Sequence, residues 1–354
     1  MLALIMAGGV GERFWPRSRA RRPKQLLDLT GSGSMIGLTV ERLENLSKPE
    51  EIFVITNINQ AESIRDAVPE LPPGNIIAEP AKRNTAPCIA VACRIIQNRF
   101  GDRPVLVLPA DHVIDDLPVF ERSVRAGEAY VSGNDVLLTF GIQPSRPETG
   151  YGYIRTGDRL VELDGVEIFR SEGFLEKPDI ENARRFHEHD AYLWNSGMFM
   201  WRTDVIGRAI DRYLPQLGQA VSRLADGTGE IQTVLNSIYE TIPAESIDYG
   251  IMEKADNVVV CRGTFYWNDV GSWESIRDLF PHDEKENVLA GDHVVIDGSG
   301  NTVFAPDKMV GLVGVDDIVV VDSGDALLVC KRDRAQEVRK IVDWLKQNGR
   351  EDLI

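Results

Sequence analysis

Short apolar segments with the character of β-strands alternate with longer amphipathic segments through the first part of this chain. The strand candidates are rich in β-branched residues and bounded by Gly, Pro or Asp. They are Leu2–Ala7, Glu51–Thr56, Asn75–Ala78, Pro104–Leu108 and Asp135–Gly141, with helical patterns at Met35–Leu46, Ile58–Ala67, Thr85–Arg99 and Pro118–Val131. This alternation predicts an α/β fold with a Rossmann-like mixed, mostly parallel sheet and helices on both faces. Ligands of such sheets bind at the carboxyl ends of the strands.

The pattern changes in the second part of the chain. Tyr151–Arg155 and Val166–Phe174 alternate like an antiparallel hairpin, and helical periodicity is absent from Asn287 to Val329. Short Val-rich segments between Gly, Asp and Asn turns predict a coil of stacked strands there, such as a short left-handed β-helix, and Arg334–Gln347 predicts a closing helix. We therefore predict two domains: a large α/β domain at 1–284, and a small β-rich domain with a C-terminal helix at 285–354.

The chain is acidic, with 39 Lys+Arg against 55 Asp+Glu and a formal net charge of −16. Nucleic acids and anionic membranes are bound by clustered cations, so we expect neither as a partner. No apolar run approaches the roughly 20 residues that span a bilayer, and the N-terminus lacks the basic region of a signal peptide. The 4 cysteines have no CxxC spacing. We therefore expect a reduced, cytoplasmic protein in which any phosphate ligand is bound by Arg and Lys inside a site.

A glycine-rich turn directly follows the first strand candidate. It has the sequence AGGVGERFWPRS over residues 7–18, with Pro-Lys-Gln at 23–25. Glycines let backbone N–H groups converge on phosphate oxygens, and Arg13 and Lys24 add positive charge. The turn is not a Walker A loop, and Phe14 stands where the Rossmann fingerprint requires its third glycine. Taken alone, it is also compatible with an ordinary surface turn.

Further blocks of sequence resemble a known family. Together with the glycine turn, they resemble the signature of the sugar-1-phosphate nucleotidylyltransferases, and the pair Lys24-Gln25 is similar to that of the mannose-1-phosphate guanylyltransferases. The blocks are residues 8–13 with 23–25, 79–80 with 83–87, 109–112, 149–154, 174–178, 194–199 and 267–273. They follow the order of the family through almost all of the larger predicted domain.

The resemblance implies the transfer of GMP from GTP to α-D-mannose 1-phosphate, with GDP-mannose and pyrophosphate as products. The attacking sugar phosphate is already anionic, so this reaction needs no strong general base. Catalysis depends instead on positioning two anions and stabilising the leaving pyrophosphate. Mg²⁺ or another divalent cation, held by few carboxylates, suits that task.

The resemblance also implies roles for individual residues. The implied catalytic residues are Arg13, Lys24, Asp111 and Asp269, and the two aspartates are also the implied metal ligands. The implied nucleotide-binding residues are Ala7, Gly8, Gly9, Gly11, Glu12, Arg13, Lys24, Asn84, Thr85, Pro109 and Asp111. The implied sugar-phosphate-binding residues are Gly152, Glu176, Lys177 and Asn195.

Each of these residue types also has a purely structural interpretation. Asp111 and Asp269 are compatible with turn residues. Asn84 and Thr85 are compatible with caps of a helix N-terminus. Glu176 and Lys177 are compatible with a surface ion pair.

Other functions remain alternatives at this point. Within the enzyme class, the chain is compatible with a sugar-1-phosphate nucleotidylyltransferase for another base or sugar. An NAD(P)-dependent dehydrogenase is supported only by the fold class and the partial glycine pattern, and a non-catalytic nucleotide-sugar sensor should have lost Arg13, Lys24 or an aspartate. We expect a homodimer, the commonest assembly. We expect no phosphomannose isomerase activity, because only a short β region and a helix follow the transferase blocks.

Overall fold

The computed structural model describes residues 1–226 and 230–354 of the chain. The strands of its first part are β1 (Leu2–Ala7), β2 (Ile52–Asn57), β3 (Ile76–Glu79), β4 (Pro104–Pro109), β5 (Val113–Ile114), β6 (Leu137–Ile142), β7 (Tyr153–Leu163), β8 (Val166–Leu175), β9 (Tyr192–Arg202), β10 (Val258–Gly263) and β11 (Trp267–Asn268). Except for β5 and β11, they form one nine-stranded sheet in the order β3-β2-β1-β4-β9-β6-β10-β8-β7. Each of the five strands predicted in the first part is present.

The central sheet is mixed. Strand β1 pairs in parallel with β2 and β4, β2 pairs with β3, and β6 pairs with β10. Strand β9 runs antiparallel between β4 and β6, and β7 and β8 form the predicted hairpin. The predicted α/β fold class is confirmed.

Strand β9, at the centre of the sheet, was not predicted. Its apolar pattern is interrupted by Asn195, Ser196 and Gly197, and the φ of Gly197 is +69°. The hydroxyl of Ser196 donates to the carbonyl of Phe140 at 2.7 Å, and the Oδ1 of Asn195 accepts from the hydroxyl of Thr139 at 3.0 Å. These bonds to β6 satisfy polar groups that the sheet buries, which a single strand pattern cannot reveal.

Helices cover both faces of the sheet. They are α1 (Met35–Glu41), α2 (Ala61–Ala67), α3 (Thr85–Phe100), α4 (Leu117–Gly133), α5 (Ile180–His187), α6 (Thr203–Tyr213), α7 (Pro215–Ser222) and α8 (Ile231–Tyr239). Because side chains alternate along a strand, Ala3 and Ile5 of β1 pack in one core with α1, α2 and α4, whereas Leu2 and Leu4 pack in another with α3, α6 and α8. Each buried aliphatic side chain contributes about 1.5–3 kcal/mol to stability.

The C-terminal part is a coil of short strands followed by a helix. Its elements are β12 (Val288–Ala290), β13 (His293–Ile296), β14 (Thr302–Phe304), β15 (Val310–Val313), β16 (Ile318–Asp322), β17 (Leu327–Lys331) and α9 (Arg339–Gln347). Strands β12, β14 and β16 stack in parallel, β13 stacks on β15, and β17 pairs antiparallel with β16. Among the described residues, no helix combines the length and the apolar character needed to cross a membrane.

A hydrophobic cluster joins the two parts of the molecule. Trp15 and Trp273 of the first part pack in it with Val319 and Val342 of the second. The indole N–H of Trp273 donates to the carbonyl of Trp15 at 3.1 Å, and the indole N–H of Trp15 donates to the carbonyl of Leu353 at 2.9 Å. The segment that follows the glycine turn is thereby attached to the C-terminus of the chain.

Candidate active site

The glycine turn begins where β1 ends, at the carboxyl edge of the sheet. Gly11 has a φ of +75°, a conformation that glycine adopts at no steric cost. A Cβ at this position would also overlap the side chain of Lys24. The hydroxyl of Ser18 donates to the carbonyl of Gly11 at 2.6 Å, and the N–H of Lys24 donates to the carbonyl of Val10 at 3.1 Å. These contacts hold Lys24 directly against the turn.

Lys24 connects the glycine turn to both predicted metal ligands. Its Nζ donates to the Oδ2 of Asp111 at 2.7 Å and to the main-chain carbonyl of Asp269 at 2.7 Å. The side chain is only 6% exposed, and a buried ammonium group requires such partners. Lys24, Asp111 and Asp269 therefore form one cluster beside the turn.

Asp111 lies just beyond β4 and is open to solvent on one side, because 33% of its side chain is exposed. Burial of the rest opposes ionisation, but the ammonium group of Lys24 outweighs it and holds the pKa of this carboxyl below its usual value.

The adjacent His112 accepts a hydrogen bond at Nδ1 from the indole N–H of Trp267, at 3.1 Å. Burial lowers the pKa of His112 to about 4, so its ring is neutral at pH 7.

Asp269 reaches the same place from the other end of the sequence. Strands β5 and β11 pair antiparallel, with Trp267 opposite Ile114, so the residues just before β5 lie beside those just after β11. The hydroxyl of Tyr151 donates to the Oδ1 of Asp269 at 2.7 Å. Burial, reinforced by Asp269, raises the pKa of Tyr151, so this phenol remains a proton donor. It fixes one carboxylate oxygen of Asp269.

The oxygens of Asp111 and Asp269 match the ligands that Mg²⁺ prefers. Within the described parts of the chain, no group of three or more His, Cys, Asp or Glu residues is arranged to hold a metal ion. Mg²⁺ at phosphate-transfer sites needs only one or two carboxylates together with substrate phosphates and waters. The donor set therefore fits a magnesium ion that binds together with a nucleotide.

Asn84 and Thr85, which are predicted to bind the nucleotide, lie at the start of α3. The Oδ1 of Asn84 accepts from the N–H of Thr85 at 2.9 Å, so Asn84 caps the helix. The hydroxyl of Thr85 accepts from the N–H of Ile247 at 2.9 Å. Thr85 and Pro109 line a cavity of about 210 Å³. Asn84 therefore has the structural role of a helix cap. Because the residue is exposed, its side-chain amide N–H groups remain available to a ligand.

Three of the residues predicted to bind the sugar phosphate line the same cavity of about 210 Å³: Gly152, Glu176 and Asn195. A Cβ at Gly152 would overlap the Oε2 of Glu176, so the glycine lets this carboxylate lie directly against the backbone. The Oε1 of Glu176 accepts from the Nζ of Lys177 at 2.6 Å, and the side chain of Lys177 is 57% exposed. Nucleoside-side and sugar-side residues therefore share one cavity, with Asp269 at its wall.

The other predicted nucleotide-binding residues surround the turn. The carbonyl of Ala7 accepts from the Nε2 of Gln25 at 2.7 Å, and a Cβ at Gly9 would meet nothing within 4 Å. Arg13 is exposed. The carboxylate of Glu12 pairs with Lys346 of α9 at 2.5 Å. The side chain of Glu12 therefore contacts the C-terminal helix, whereas the side of the turn at Gly9 is open.

Three buried or half-buried side chains at the site were missed by the sequence analysis. They are Tyr151 on Asp269, Glu79 at the end of β3, and Asp248 in the cavity. Gly8 approaches Glu79, whose Oε2 lies 3.4 Å from a Cβ built at Gly8. Glu79 was findable, because it ends a strand at the carboxyl edge and lies in one of the sequence blocks that carry the resemblance. Asp248 follows no strand and gave no local signal.

Comparison with known proteins assigns the chain to a family. A family model described as nucleotidyl transferase matches residues 2–286. The mannose-1-phosphate guanylyltransferase of Klebsiella pneumoniae is 40% identical over 358 residues, which cover 99% of this chain and 75% of that protein. The chain belongs to the mannose-1-phosphate guanylyltransferase family. The resemblance inferred from the short sequence blocks is thus confirmed.

Other relatives extend this family relationship to the whole fold. The mannose-1-phosphate guanylyltransferase RfbM of Salmonella typhimurium is 40% identical over 362 residues, covering 99% of this chain and 74% of that protein. A crystal structure described as mannose-1-phosphate geranyltransferase from Thermus thermophilus has a TM-score of 0.89 and 36% identity, covering 98% of this chain and 99% of that one. A second family model, MannoseP isomerase/GMP-like beta-helix domain, matches residues 291–345.

Proposed function

We propose that this protein transfers GMP from GTP to α-D-mannose 1-phosphate and releases GDP-mannose and pyrophosphate. The observation that carries this proposal is the cluster of Lys24, Asp111 and Asp269 beside a glycine turn, in a chain of the mannose-1-phosphate guanylyltransferase family. The cluster provides positive charge and oxygen ligands at the carboxyl edge of the sheet. One cavity next to it is lined by some of the residues assigned to each substrate, Thr85 and Pro109 for the nucleotide and Gly152, Glu176 and Asn195 for the sugar phosphate.

The arrangement explains how two anions can react. The open backbone of the glycine turn and the exposed guanidinium of Arg13 bind the outer phosphates of GTP, which become the leaving pyrophosphate. Lys24 provides charge for the α-phosphate, where negative charge accumulates during transfer. Because Lys24 is already held by two partners, little reorganisation is needed when the substrates bind.

We propose that Asp111 and Asp269 hold a Mg²⁺ ion or another divalent cation. When bound, such an ion neutralises phosphate charge and orients the reacting groups. Tyr151 holds Asp269 in place through its 2.7 Å hydrogen bond. On the other side, Glu176 and Asn195 bind hydroxyl groups of the sugar, and Lys177 binds its phosphate.

Three further assignments accompany this function. We propose a catalytic domain at 1–284 and a small β-rich domain at 285–354, the division at which the central sheet gives way to the strand coil. We propose a homodimer, which light scattering of the purified protein tests directly. We propose a cytoplasmic protein, because Cys88, Cys93, Cys261 and Cys330 are all free thiols, as a reducing compartment requires.

A pyrophosphate-release assay tests the proposed function. Each of GTP, ATP, UTP and dTTP is supplied in turn with mannose 1-phosphate or glucose 1-phosphate, with and without Mg²⁺. We expect the highest kcat/KM with GTP and mannose 1-phosphate, and no turnover after removal of divalent cations. A preference for another nucleotide or sugar would place the protein among the other sugar-1-phosphate nucleotidylyltransferases. Absence of turnover with every pair would contradict the proposal.

A further inference from the structure

Asp248 is a carboxylate in the substrate cavity to which no role has yet been assigned. It is the first residue of a π-helical turn, Asp248–Met252, and it lines the cavity together with Gly152, Glu176 and Asn195. Its Oδ1 accepts from the Nδ2 of Asn195 at 3.0 Å. Its Oδ2 has no hydrogen-bonding side chain among the residues that the structure describes.

The amide of Asn195 is fixed in one orientation. Its Oδ1 accepts from the hydroxyl of Thr139 at 3.0 Å and from the N–H of Gly197 at 3.2 Å. Two donors on Oδ1 require that Nδ2 is the atom facing Asp248. The orientation of the Asp248 carboxylate is therefore set by β9 and β6, and one oxygen is left for a ligand.

The backbone that carries Asp248 is anchored on both sides of the cavity. On the nucleoside side, the N–H of Ile247 donates to the hydroxyl of Thr85 at 2.9 Å, and the N–H of Ala86 donates to the carbonyl of Glu245 at 3.0 Å. On the sugar side, the N–H of Glu176 donates to the Oε1 of Glu253 at 3.3 Å. A carboxylate supported in this way is preorganised, and a ligand that uses it need not order a loop.

The cavity therefore presents two carboxylates to the same ligand. One oxygen of Glu176 is bound by Lys177 at 2.6 Å, and its Oε2 lies against Gly152. Burial raises the pKa of Asp248 to about 7, and the negative charge of Glu176 is the second cause of this increase. A second carboxyl group beside Glu176 offers no positive charge to a phosphate, but its oxygens accept hydrogen bonds from hydroxyl groups. The ligand group that fits Asp248 is the ring of a sugar rather than its phosphate.

We propose that Asp248 is a sugar-binding residue that accepts a hydrogen bond from a ring hydroxyl of the sugar 1-phosphate and helps to set which sugars are used. This inference rests on the proposed function. A sugar that lacks the partner hydroxyl, or carries it in the inverted configuration, leaves the Asp248 oxygen unpaired in a partly buried site. We expect the unpaired oxygen to lower kcat/KM for that sugar by about 10- to 100-fold.

The test compares the wild type with D248N and D248A in the pyrophosphate-release assay. The amide that D248N introduces keeps an acceptor for Asn195 but presents a donor in place of the free oxygen. We expect the KM for mannose 1-phosphate to rise about 10-fold or more in both variants, whereas the KM for GTP changes less than about 3-fold. D256N is the matched control, because Asp256 is 74% exposed and pairs with Arg212 at the surface. Its KM values should equal those of the wild type.

Deoxy analogues of mannose 1-phosphate identify the hydroxyl concerned. The wild type should discriminate strongly against one of the 2-, 3-, 4- and 6-deoxy sugars, and D248N should lose that discrimination while retaining the others. Unchanged KM values and an unchanged ranking of the analogues in D248N and D248A would overturn the assignment of Asp248 alone. A wild type that turns over no sugar 1-phosphate would instead contradict the proposed function and this inference together.

Discussion

The Nζ of Lys24 lies 2.7 Å from the Oδ2 of Asp111, so a buried lysine beside the glycine turn and a partly exposed aspartate after β4 form one ion pair. Both groups are needed in their charged forms for the proposed reaction. The ammonium group of Lys24 keeps the carboxyl of Asp111 ionised, and its second bond, to the carbonyl of Asp269, ties the pair to β11.

Replacement of Lys24 by Met should remove catalysis without removing the fold. We expect kcat to fall by at least about 100-fold, because the developing charge at the α-phosphate loses a preorganised cation. The steady-state rate of pyrophosphate release measures this, and circular dichroism checks folding. K340M is the matched control, since Lys340 is 69% exposed on α9, and it should keep wild-type activity. A folded K24M protein with near-normal kcat would remove Lys24 from the mechanism.

Replacement of Tyr151 by Phe should weaken the site through Asp269. The phenol that fixes the Oδ1 of Asp269 is lost, while the packing of the ring on Trp194 and Trp267 remains. Loss of a partner that orients a metal ligand costs about 10- to 100-fold in metal affinity or activity. We therefore expect a higher Mg²⁺ concentration at half-maximal rate in Y151F and an unchanged melting temperature. An unaltered Mg²⁺ dependence in Y151F would show that Tyr151 does not act through Asp269. Y213F serves as the control and should keep the Mg²⁺ dependence of the wild type.

Replacement of Gly11 by Ala should be far more damaging than the same change at Gly31. Both glycines have a positive φ, +75° and +82°, so each substitution costs about 1–2 kcal/mol of conformational free energy. Only at Gly11 would the new Cβ overlap Lys24, whereas a Cβ at Gly31 meets nothing within 4 Å. We expect G11A to lose most of its activity and G31A to keep it. Equal activities in the two variants would contradict the close packing of the turn on Lys24.

Glu79 should make the stability of the protein depend on pH. Its side chain is 6% exposed, and burial raises its pKa from the usual 4.5 to about 7, opposed in part by the hydrogen bond from Tyr239. Between these values the unfolded chain releases the proton and the folded protein keeps it. The free energy of unfolding therefore falls as the pH rises from about 4.5 to 7.

The variant E79Q cannot titrate at this position and should lose that part of the pH dependence. Relative to the wild type, we expect E79Q to gain about 1–3 kcal/mol of stability between pH 4.5 and pH 8. Urea unfolding at both pH values measures this difference, and E44Q, at an exposed position, should show none. A wild type and an E79Q variant with parallel pH dependence would mean that Glu79 is ionised throughout this range.

Trp273 should couple the stability of the two parts of the molecule. It is fully buried, it donates to the carbonyl of Trp15, and its cluster includes side chains of β16 and α9. W273A should lose about 3–5 kcal/mol of stability, whereas W344F, at a position 58% exposed, should lose almost none. Calorimetry of the wild type should show one transition; two separate transitions would contradict the shared cluster.

Part of the site could be predicted because it follows local rules. The glycine turn and Asp111 follow two strands whose apolar patterns are clear, and the carboxyl ends of parallel strands meet at one edge. Family resemblance then supplied Asp269, Gly152, Glu176 and Asn195, which lie far apart in sequence. The β5–β11 ribbon explains why Asp269 lies beside Asp111.

Other features depend on contacts that no local pattern records. Strand β9 carries Asn195 and Ser196 in the middle of the sheet because β6 supplies their hydrogen-bond partners. Asp248 enters the cavity from a π-helical turn, a rare element with no sequence signature here. Lys346 reaches Glu12 only because the C-terminal helix packs against the glycine-turn segment.

The proposed role of the two aspartates is tested by the rate of pyrophosphate release from GTP and mannose 1-phosphate, measured for the wild type, D111N and D269N over a range of Mg²⁺ concentrations. We predict Mg²⁺-dependent release by the wild type and a fall in kcat of at least about 100-fold in each folded variant. Release by D111N and D269N at the wild-type rate, with an unchanged Mg²⁺ requirement, would contradict that role.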